Sequence, residues 1–173
     1  EPVMSTVDAW VQMDLRWEHG CGISTSGRLN CWGRNDQGQL SFQNVDHTQD
    51  QENMGSSWSM VSVGRAHTCA LNDEGALHCW GRGDEGQLSP PEGLNSIAQV
   101  AAGWHQTCVL DDEGQATCWG EADQGQADLP DDHFSTLSLG ARFGCGLTLE
   151  GSIACWGLNS YGQASPPVEG RYR

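Results

Sequence analysis

Short runs in which apolar and polar residues alternate recur along the chain, and turns containing glycine separate them. In the stretch 69–79, Cys69 and Leu71 share one face with Leu77 and Cys79, which is the period-two pattern of a β-strand. The midpoint is Asp-Glu-Gly, a three-residue hairpin loop whose last position favours glycine because it needs the left-handed backbone conformation. The pattern predicts a β-hairpin over these residues.

The same hairpin occurs four times within a longer motif. The motif is Cys, any residue, an aliphatic residue, three residues, Gly, three residues, Cys-Trp-Gly, four residues and Gly-Gln. Successive first cysteines are 48, 39 and 37 residues apart, and such variation belongs in the loops between fixed units. The sequence predicts a single repeat domain over residues 1–173, with an inserted surface loop at about 41–57 and with units at about 9–40, 58–88, 96–127 and 134–164.

A further apolar run precedes each hairpin, for example Ser59–Gly64 before the second one. A last short strand is expected around each Gly-Gln pair. Each unit is therefore predicted to contain about four antiparallel strands, and abundant glycine, 23 residues in all, fits many tight turns between short strands.

All eight cysteines fall within the motif, always ten residues apart within a unit. Pairing the strands about the loop sets the two cysteines of a unit opposite one another, with Cβ atoms about 4.5–5.5 Å apart. Reduced cysteines in the core are an alternative, and zinc binding is another, although zinc usually draws on Cys-x₂₋₄-Cys pairs that the sequence lacks. The predicted disulfides would place the protein in an oxidising compartment, and they are Cys21–Cys31, Cys69–Cys79, Cys108–Cys118 and Cys145–Cys155.

The charge of the chain narrows the choice of partners. The net charge is −15, from 23 acidic residues against eight arginines, and lysine is absent. Such a surface repels phosphate backbones, so nucleic acid is not an expected partner. No apolar run is long enough to span a bilayer, and no signal-peptide pattern is present, so an exported protein would be expected to have lost its signal already.

Residues 64–88 contain Gly-x₃-Thr-Cys-Ala-Leu, Gly-x-Leu-x-Cys-Trp-Gly and Gly-Gln-Leu, and in this combination the chain resembles the regulator of chromosome condensation family. The likeness covers about residues 10–165 and is greatest to the cysteine-paired variety of exported bacterial proteins. It implies an all-β fold, a β-propeller or part of one. Because family propellers usually have seven blades, the four copies imply a small closed ring, an open arc, or assembly with another chain.

No pattern in the sequence indicates catalysis. His19 and His67 occupy the same place in the motif, where a structural contact is expected rather than a catalytic group. Acidic clusters such as Asp111–Glu113 could hold calcium, but they lie in predicted turns, where Asp is favoured for its own hydrogen bonds. No phosphate-binding loop or nucleophile motif occurs. The chain is predicted not to be an enzyme and to have no catalytic, cofactor-binding or metal-binding residues.

Two sets of aromatic and charged residues remain. One tryptophan recurs in every Cys-Trp-Gly, and packing between units is expected of this set, Trp32, Trp80, Trp119 and Trp156. The other set lies just before the hairpins, where equivalent positions in a propeller fall near one another on one face. Arginine and aromatic residues dominate binding hot spots, so the candidate partner-binding residues are Arg65, Trp104, His105, Arg142 and Phe143, with packing of Trp104 and Phe143 between blades as the alternative.

The sequence therefore predicts a non-enzymatic binding module that contacts a macromolecule, a protein or a glycan, through propeller loops. The expected location is extracellular, on the cell surface or periplasmic. Self-association or pairing with another chain could complete the propeller. One alternative is a carbohydrate-binding propeller. The resemblance to the family implies two others, a guanine-nucleotide-exchange type of regulatory domain and a light sensor in which tryptophan and arginine cluster. Only Gly103–Thr107 approaches the Gly-Trp-Arg-His-Thr motif of the family's light sensor.

Overall fold

The structure is a computed structural model, and it describes residues 8–41 and 57–167. The predicted insertion at 41–57 lies almost wholly outside the described residues. Those that are described form twelve β-strands: β1 (Trp10–Arg16), β2 (His19–Ser24), β3 (Leu29–Gly33), β4 (Trp58–Val63), β5 (His67–Asn72), β6 (Leu77–Gly81), β7 (Ile97–Ala102), β8 (Gln106–Asp111), β9 (Ala116–Gly120), β10 (Phe134–Leu139), β11 (Phe143–Thr148) and β12 (Ile153–Gly157).

The strands form four antiparallel sheets of three, in the orders β1-β2-β3, β4-β5-β6, β7-β8-β9 and β10-β11-β12. We call these sheets blades 1 to 4. The all-β architecture of four repeated units is confirmed, but a fourth strand around Gly-Gln is not formed, so that detail of the prediction is wrong. In blade 2, Gly86 has a φ of 80° and the Gln87 side chain accepts the Glu85 amide at 3.0 Å, so the chain turns there instead of extending.

The hairpins follow the predicted register. Cys69 pairs with Cys79 across β5 and β6, and the glycine that ends this loop, Gly75, has a φ of 78°. All four predicted disulfides are present, with Cα–Cα distances of 4.0–4.1 Å. Every cysteine of the chain is therefore bridged to the other cysteine of its own hairpin.

Removing one bridge gives a testable expectation. The double substitution Cys108→Ala, Cys118→Ala should lower the free energy of unfolding by about 2–3 kcal/mol, because the unfolded chain regains the entropy of a short loop. The matched control is Cys145→Ala, Cys155→Ala, which opens a loop of the same length in blade 4. Denaturant melts of protein dilute enough to be monomeric should show the larger loss for the blade 3 pair, since Cys108 is buried against Trp156 and Cys145 is only partly buried. Equal losses would contradict the packing contribution.

Successive blades pack face to face in the same way each time. The disulfide hairpin of one blade lies under the tryptophan of the next, as Cys69 and Leu71 lie against Trp119. The first strands of neighbouring blades contact one another, β1 with β4, β4 with β7 and β7 with β10. These first strands therefore lie innermost, and the hairpins project outward.

The Gly-Gln turn completes this packing. The backbone carbonyl of Gln87 accepts hydrogen bonds from Trp119 Nε1 and Thr107 Oγ1 of the following blade, both at 2.9 Å. The Gln39 carbonyl does the same for Trp80 and Thr68, at 2.9 and 2.8 Å. The spacing between Cys-Trp-Gly and Gly-Gln is the same in all four repeats. It places a backbone carbonyl of one blade against side-chain donors of the next.

Glutamine side chains also join the inner strands. Gln12 Nε2 donates to the Val61 carbonyl at 3.1 Å, and Gln12 Oε1 accepts the Val61 amide at 2.9 Å. Gln99 makes the same pair of bonds to Leu137, both at 2.9 Å. The first strands of neighbouring blades are not hydrogen-bonded to each other as in a continuous sheet. The glutamine side chains bond to the backbone N–H and C=O groups of the next inner strand instead, so these groups are not left without partners.

Within residues 8–41 and 57–167, no helix is long and apolar enough to cross a bilayer.

Candidate protein-interaction site

The turns that join the first and second strands of each blade lie at one end of the molecule, which we call the inner-turn end. The hairpin loops lie at the other end, because the second strand of each blade runs from one to the other. Since the first strands are innermost, the inner turns converge near the axis of the array. Four of the five candidate residues named from the sequence lie in these turns, and Phe143 begins the strand that follows one of them.

A glycine opens the inner turn in blades 2, 3 and 4. A Cβ atom on Gly64 would lie 2.3 Å from the His67 ring and 2.6 Å from the Gly103 carbonyl of the next blade. Only glycine leaves room for that close approach. Blade 1 has Arg16 at this position, and its guanidinium donates to the Leu139 carbonyl of blade 4 at 2.6 Å, so the first and last blades are joined across the axis.

Three of the turns contribute to an aromatic cluster. The rings of Trp17 and Trp104 meet edge to face with centroids 5.5 Å apart. The Arg65 guanidinium lies over both, 5.5 Å from the Trp17 centroid and 4.9 Å from that of Trp104. Trp17 is well exposed and has a φ of 58°, which is unusual for a residue with a side chain. Blades 1, 2 and 3 thus each supply one side chain to a Trp–Arg–Trp cluster.

A charged network lies beside this cluster. Glu121 accepts from His105 Nδ1 at 3.1 Å and from an Arg142 nitrogen at 3.2 Å, while Arg82 Nη1 lies 3.4 Å from His105 Nε2. The Glu121 amide also donates to the His105 carbonyl at 2.8 Å, which fixes the residue after Cys-Trp-Gly against the inner turn. The carboxylate therefore holds candidate residues from blades 3 and 4 together.

The charge distribution of the molecule is uneven. Of the described arginines, Arg28 lies at the hairpin end, bonded to Asp8. The others lie at the inner-turn end, and they are Arg16, Arg34, Arg65, Arg82 and Arg142. Several are neutralised by carboxylates, as Arg34 is by Glu18 and Asp36. Among residues 8–41 and 57–167, no carboxylate forms an ion pair with Arg65, and its guanidinium instead makes cation–π contacts with two indole rings.

Histidines are buried just below the inner turns. His67 Nε2 lies 3.1 Å from Thr107 Oγ1 and His19 Nε2 lies 3.0 Å from Thr68 Oγ1. Burial lowers the pKa of His67 to about 3, and nearby His19 adds to the effect; burial also lowers the pKa of His19. These rings are therefore uncharged in the folded chain at neutral pH, and they act as packing groups between blades.

The structure divides the five candidates into three places. Arg65 and Trp104 share the aromatic cluster, and His105 and Arg142 share the Glu121 network. Phe143 occupies the slot that His67 and Gln106 fill in other blades, with its ring against Gly140. Sequence reasoning missed Trp17 and Glu121. Trp17 stands four residues before the first cysteine, like Arg65 and Trp104, so extending the motif by that distance could have found it.

The recurrent tryptophans do not share one environment. Trp80, Trp119 and Trp156 are buried against the preceding blade, whereas Trp32 of blade 1 is partly exposed.

No group of three His, Cys, Asp or Glu side chains within the described ranges is close enough to hold a metal ion.

Successive blades that pack face to face around inner strands define a β-propeller, here an array of four blades. The sequence pattern described as the regulator of chromosome condensation (RCC1) repeat matches residues 17–39, 61–87, 97–126 and 134–163. The chain belongs to this family. The four bridges support the cysteine-paired variety that the sequence predicted. No curated protein matches the sequence significantly.

Solved structures share the fold. The ectodomain of the Physcomitrella patens receptor kinase CR4 is 27% identical, with a TM-score of 0.68, over 86% of this chain and 38% of that one. Human WBSCR16 is 19% identical, with a TM-score of 0.75, over 92% and 50%. Saccharomyces cerevisiae Prp20p, studied for its binding to Gsp1p and histones, is 18% identical, with a TM-score of 0.72, over 92% and 46%. The chain thus spans half or less of each of these proteins.

Proposed function

We propose that this chain is a non-enzymatic, exported binding module, and that it holds a protein partner at the inner-turn end. The observation that carries the proposal is the Trp17–Arg65–Trp104 cluster, which three blades assemble at one end of the array. Tryptophan and arginine are the residues most enriched in binding hot spots. The cluster joins exposed apolar surface to a cation that lacks a carboxylate partner among the described residues.

The chemistry of the cluster indicates what the partner presents. The two indole rings limit how far the Arg65 side chain can move, so little conformational entropy is lost when the guanidinium is bound. A carboxylate of the partner would find the forked donors of Arg65 available, and an apolar side chain beside it would cover the Trp17 ring. We therefore expect a protein segment with an acidic residue next to an aliphatic or aromatic one.

Export is supported by the disulfides. The chain has four disulfide bridges in 173 residues. Disulfides persist in oxidising compartments and are rare in the cytosol. This is also why a cytosolic nucleotide-exchange role is less well supported. Counting thiols on protein isolated from its host without reductant is the test: none should be found, and eight free thiols would contradict export.

The binding site is tested with a displayed random-peptide library selected on the immobilised oxidised chain. Arg65→Ala should weaken the selected peptides by at least about 30-fold, the scale of a hot-spot residue. The selected sequences should share an acidic residue. The matched control is Arg28→Ala, which removes an exposed arginine from the hairpin end and should leave binding unchanged.

Three further results bear on the proposal. Trp17→Ala should weaken the same peptides, because it removes one wall of the cluster. Peptides that bind wild type and Arg65→Ala equally would place the binding site elsewhere. Selection of glycans on an array, with no loss in Arg65→Ala, would instead support the carbohydrate-binding alternative.

One observation favours a second candidate, a light sensor. Indole rings 5.5 Å apart with one guanidinium packed against both are the kind of Trp–Arg arrangement that this alternative requires. Irradiation near 280 nm should then change the oligomeric mass, and Trp104→Phe should abolish the change. An unchanged mass under irradiation would exclude this role.

A further inference from the structure

One face of blade 1 exposes large apolar side chains. Trp10 is 58%, Leu15 is 54% and Trp32 is 44% exposed, and Met13 on the same face is 65% exposed. The other face of blade 1 is different, because Cys21 and Ile23 are fully buried against blade 2. We call the exposed set Trp10, Met13, Leu15 and Trp32 the leading face.

The repeats show what these positions do when they are covered. The equivalents of Trp10, Met13, Leu15 and Trp32 in blade 2 are 0–7% exposed, and each packs on the hairpin of blade 1; they are Trp58, Val61, Val63 and Trp80. Blade 4 packs on blade 3 through the same positions, with Phe134, Leu137, Leu139 and Trp156. The leading face is thus built to receive the disulfide side of another blade.

Blade 4, at the other side of the array from blade 1, exposes such a disulfide-bearing face. In blade 4, Cys145 and Leu147 are partly exposed and Ile153 is 36% exposed. Their counterparts in blade 1 are buried against blade 2, and they are Cys21, Ile23 and Leu29. Gln163 is also partly exposed, although the equivalent Gln39, Gln87 and Gln126 are fully buried. We call Cys145, Leu147, Ile153, Cys155 and Gln163 the trailing face.

We propose that two copies of this chain associate head to tail, with the leading face of each packed on the trailing face of the other. The three blade-to-blade contacts within the chain already show this packing, so the new contact requires no different surface. A head-to-tail contact between two copies forms twice and closes a ring. Closure covers both apolar faces, which a repeat array otherwise has to protect with polar end units. The inference is independent of the partner proposed for the inner-turn end.

The first test is the mass of the full oxidised chain by light scattering and sedimentation over a range of concentrations. We expect a concentration-dependent rise from the 18.7 kDa monomer to twice that mass. Tryptophan emission should shift to shorter wavelength over the same range, because Trp10 and Trp32 leave water. A monomer at every concentration would overturn the proposal.

Substitutions identify the surfaces. Leu15→Glu on the leading face and Ile153→Glu on the trailing face should each weaken dimerisation by at least about 100-fold, because each would bury an unpaired carboxylate. Both positions are exposed in the monomer, so folding should not be impaired. The matched control is Val11→Glu, which is 62% exposed on the side of β1 that faces Ser57 and Trp58 and lies off both faces.

Mixing the variants distinguishes head-to-tail from other pairing. Ile153→Glu retains an intact leading face and Leu15→Glu an intact trailing face, so the two together should form a heterodimer through one contact. If leading faces paired with each other, Ile153→Glu would remain dimeric alone, and the proposal would be wrong. Arg65→Ala should dimerise like wild type. Peptide binding therefore tests the proposed partner site, and the oligomeric mass tests the head-to-tail contact, so each proposal can be disproved without the other.

Discussion

Replacing Trp119 by alanine is expected to lower the free energy of unfolding by about 3–5 kcal/mol. The indole fills the space between blades 2 and 3, packed against Cys69 and Leu71. Its Nε1 also donates to the Gln87 carbonyl at 2.9 Å, so alanine would leave both a cavity and an acceptor short of one bond. Urea denaturation followed by circular dichroism measures the loss.

Trp32→Ala is the matched control, because it changes the same motif position in blade 1. Trp32 is partly exposed, and among the aromatic residues described its ring contacts only Trp10, edge to face at 6.4 Å. The expected cost is about 1 kcal/mol or less, in protein dilute enough to be monomeric. Equal costs for the two substitutions would show that the packing between blades 2 and 3 does not carry the stability of the array.

The second large effect is loss of stability in acid through His67. The unfolded side chain titrates near pH 6.5, and burial lowers the pKa of the folded one to about 3. Between these values the unfolded chain binds the extra proton, so the stability contribution is complete above pH 6.5 and is lost as pH falls towards 3. The loss attributable to this ring is on the order of 4 kcal/mol.

His67→Gln should flatten that dependence. Glutamine stands at the same slot in blade 3, where Gln106 is fully buried above an equivalent glycine, so the replacement fits the site. Thermal melts from pH 7.5 to pH 3.5 should show a smaller decline for this variant than for wild type. His133→Gln changes an exposed histidine and should leave the decline unaltered; a variant at residue 67 that declines as steeply as wild type would contradict the assignment.

The hairpins and bridges could be predicted because all their determinants are local. A ten-residue cysteine interval with glycine in the loop allows one register, and Cys145 and Cys155 pair accordingly. The Gly-Gln segment is different: the sequence predicts a strand there, and the structure has a turn. The prediction failed because the turn depends on a side-chain hydrogen bond. The Gln163 Oε1 accepts the Tyr161 amide at 2.8 Å, and alternation patterns contain no information about such a bond.

The interaction site could be predicted only in part. Arg65 and Trp104 could be predicted from their shared place in the motif, whereas Trp17 was not recognised as occupying the same place. Glu121 was missed because the residue after Cys-Trp-Gly differs between copies, so its role follows from contacts with His105 and Arg142 alone. The exposure of Trp32 depends on which blades have neighbours, and a repeat looks the same in sequence whether it is internal or terminal.

Each bridge joins two cysteines of one hairpin, and none links one blade to another. Duplication or deletion of a whole repeat in the gene would therefore add or remove a matched pair of thiols together. The remaining repeats would keep their own pairing, and no thiol would be left over to form incorrect bonds during oxidation. Repeat number can thus change during evolution without a penalty in oxidative folding, and the same property makes this chain a suitable template for engineering longer or shorter arrays.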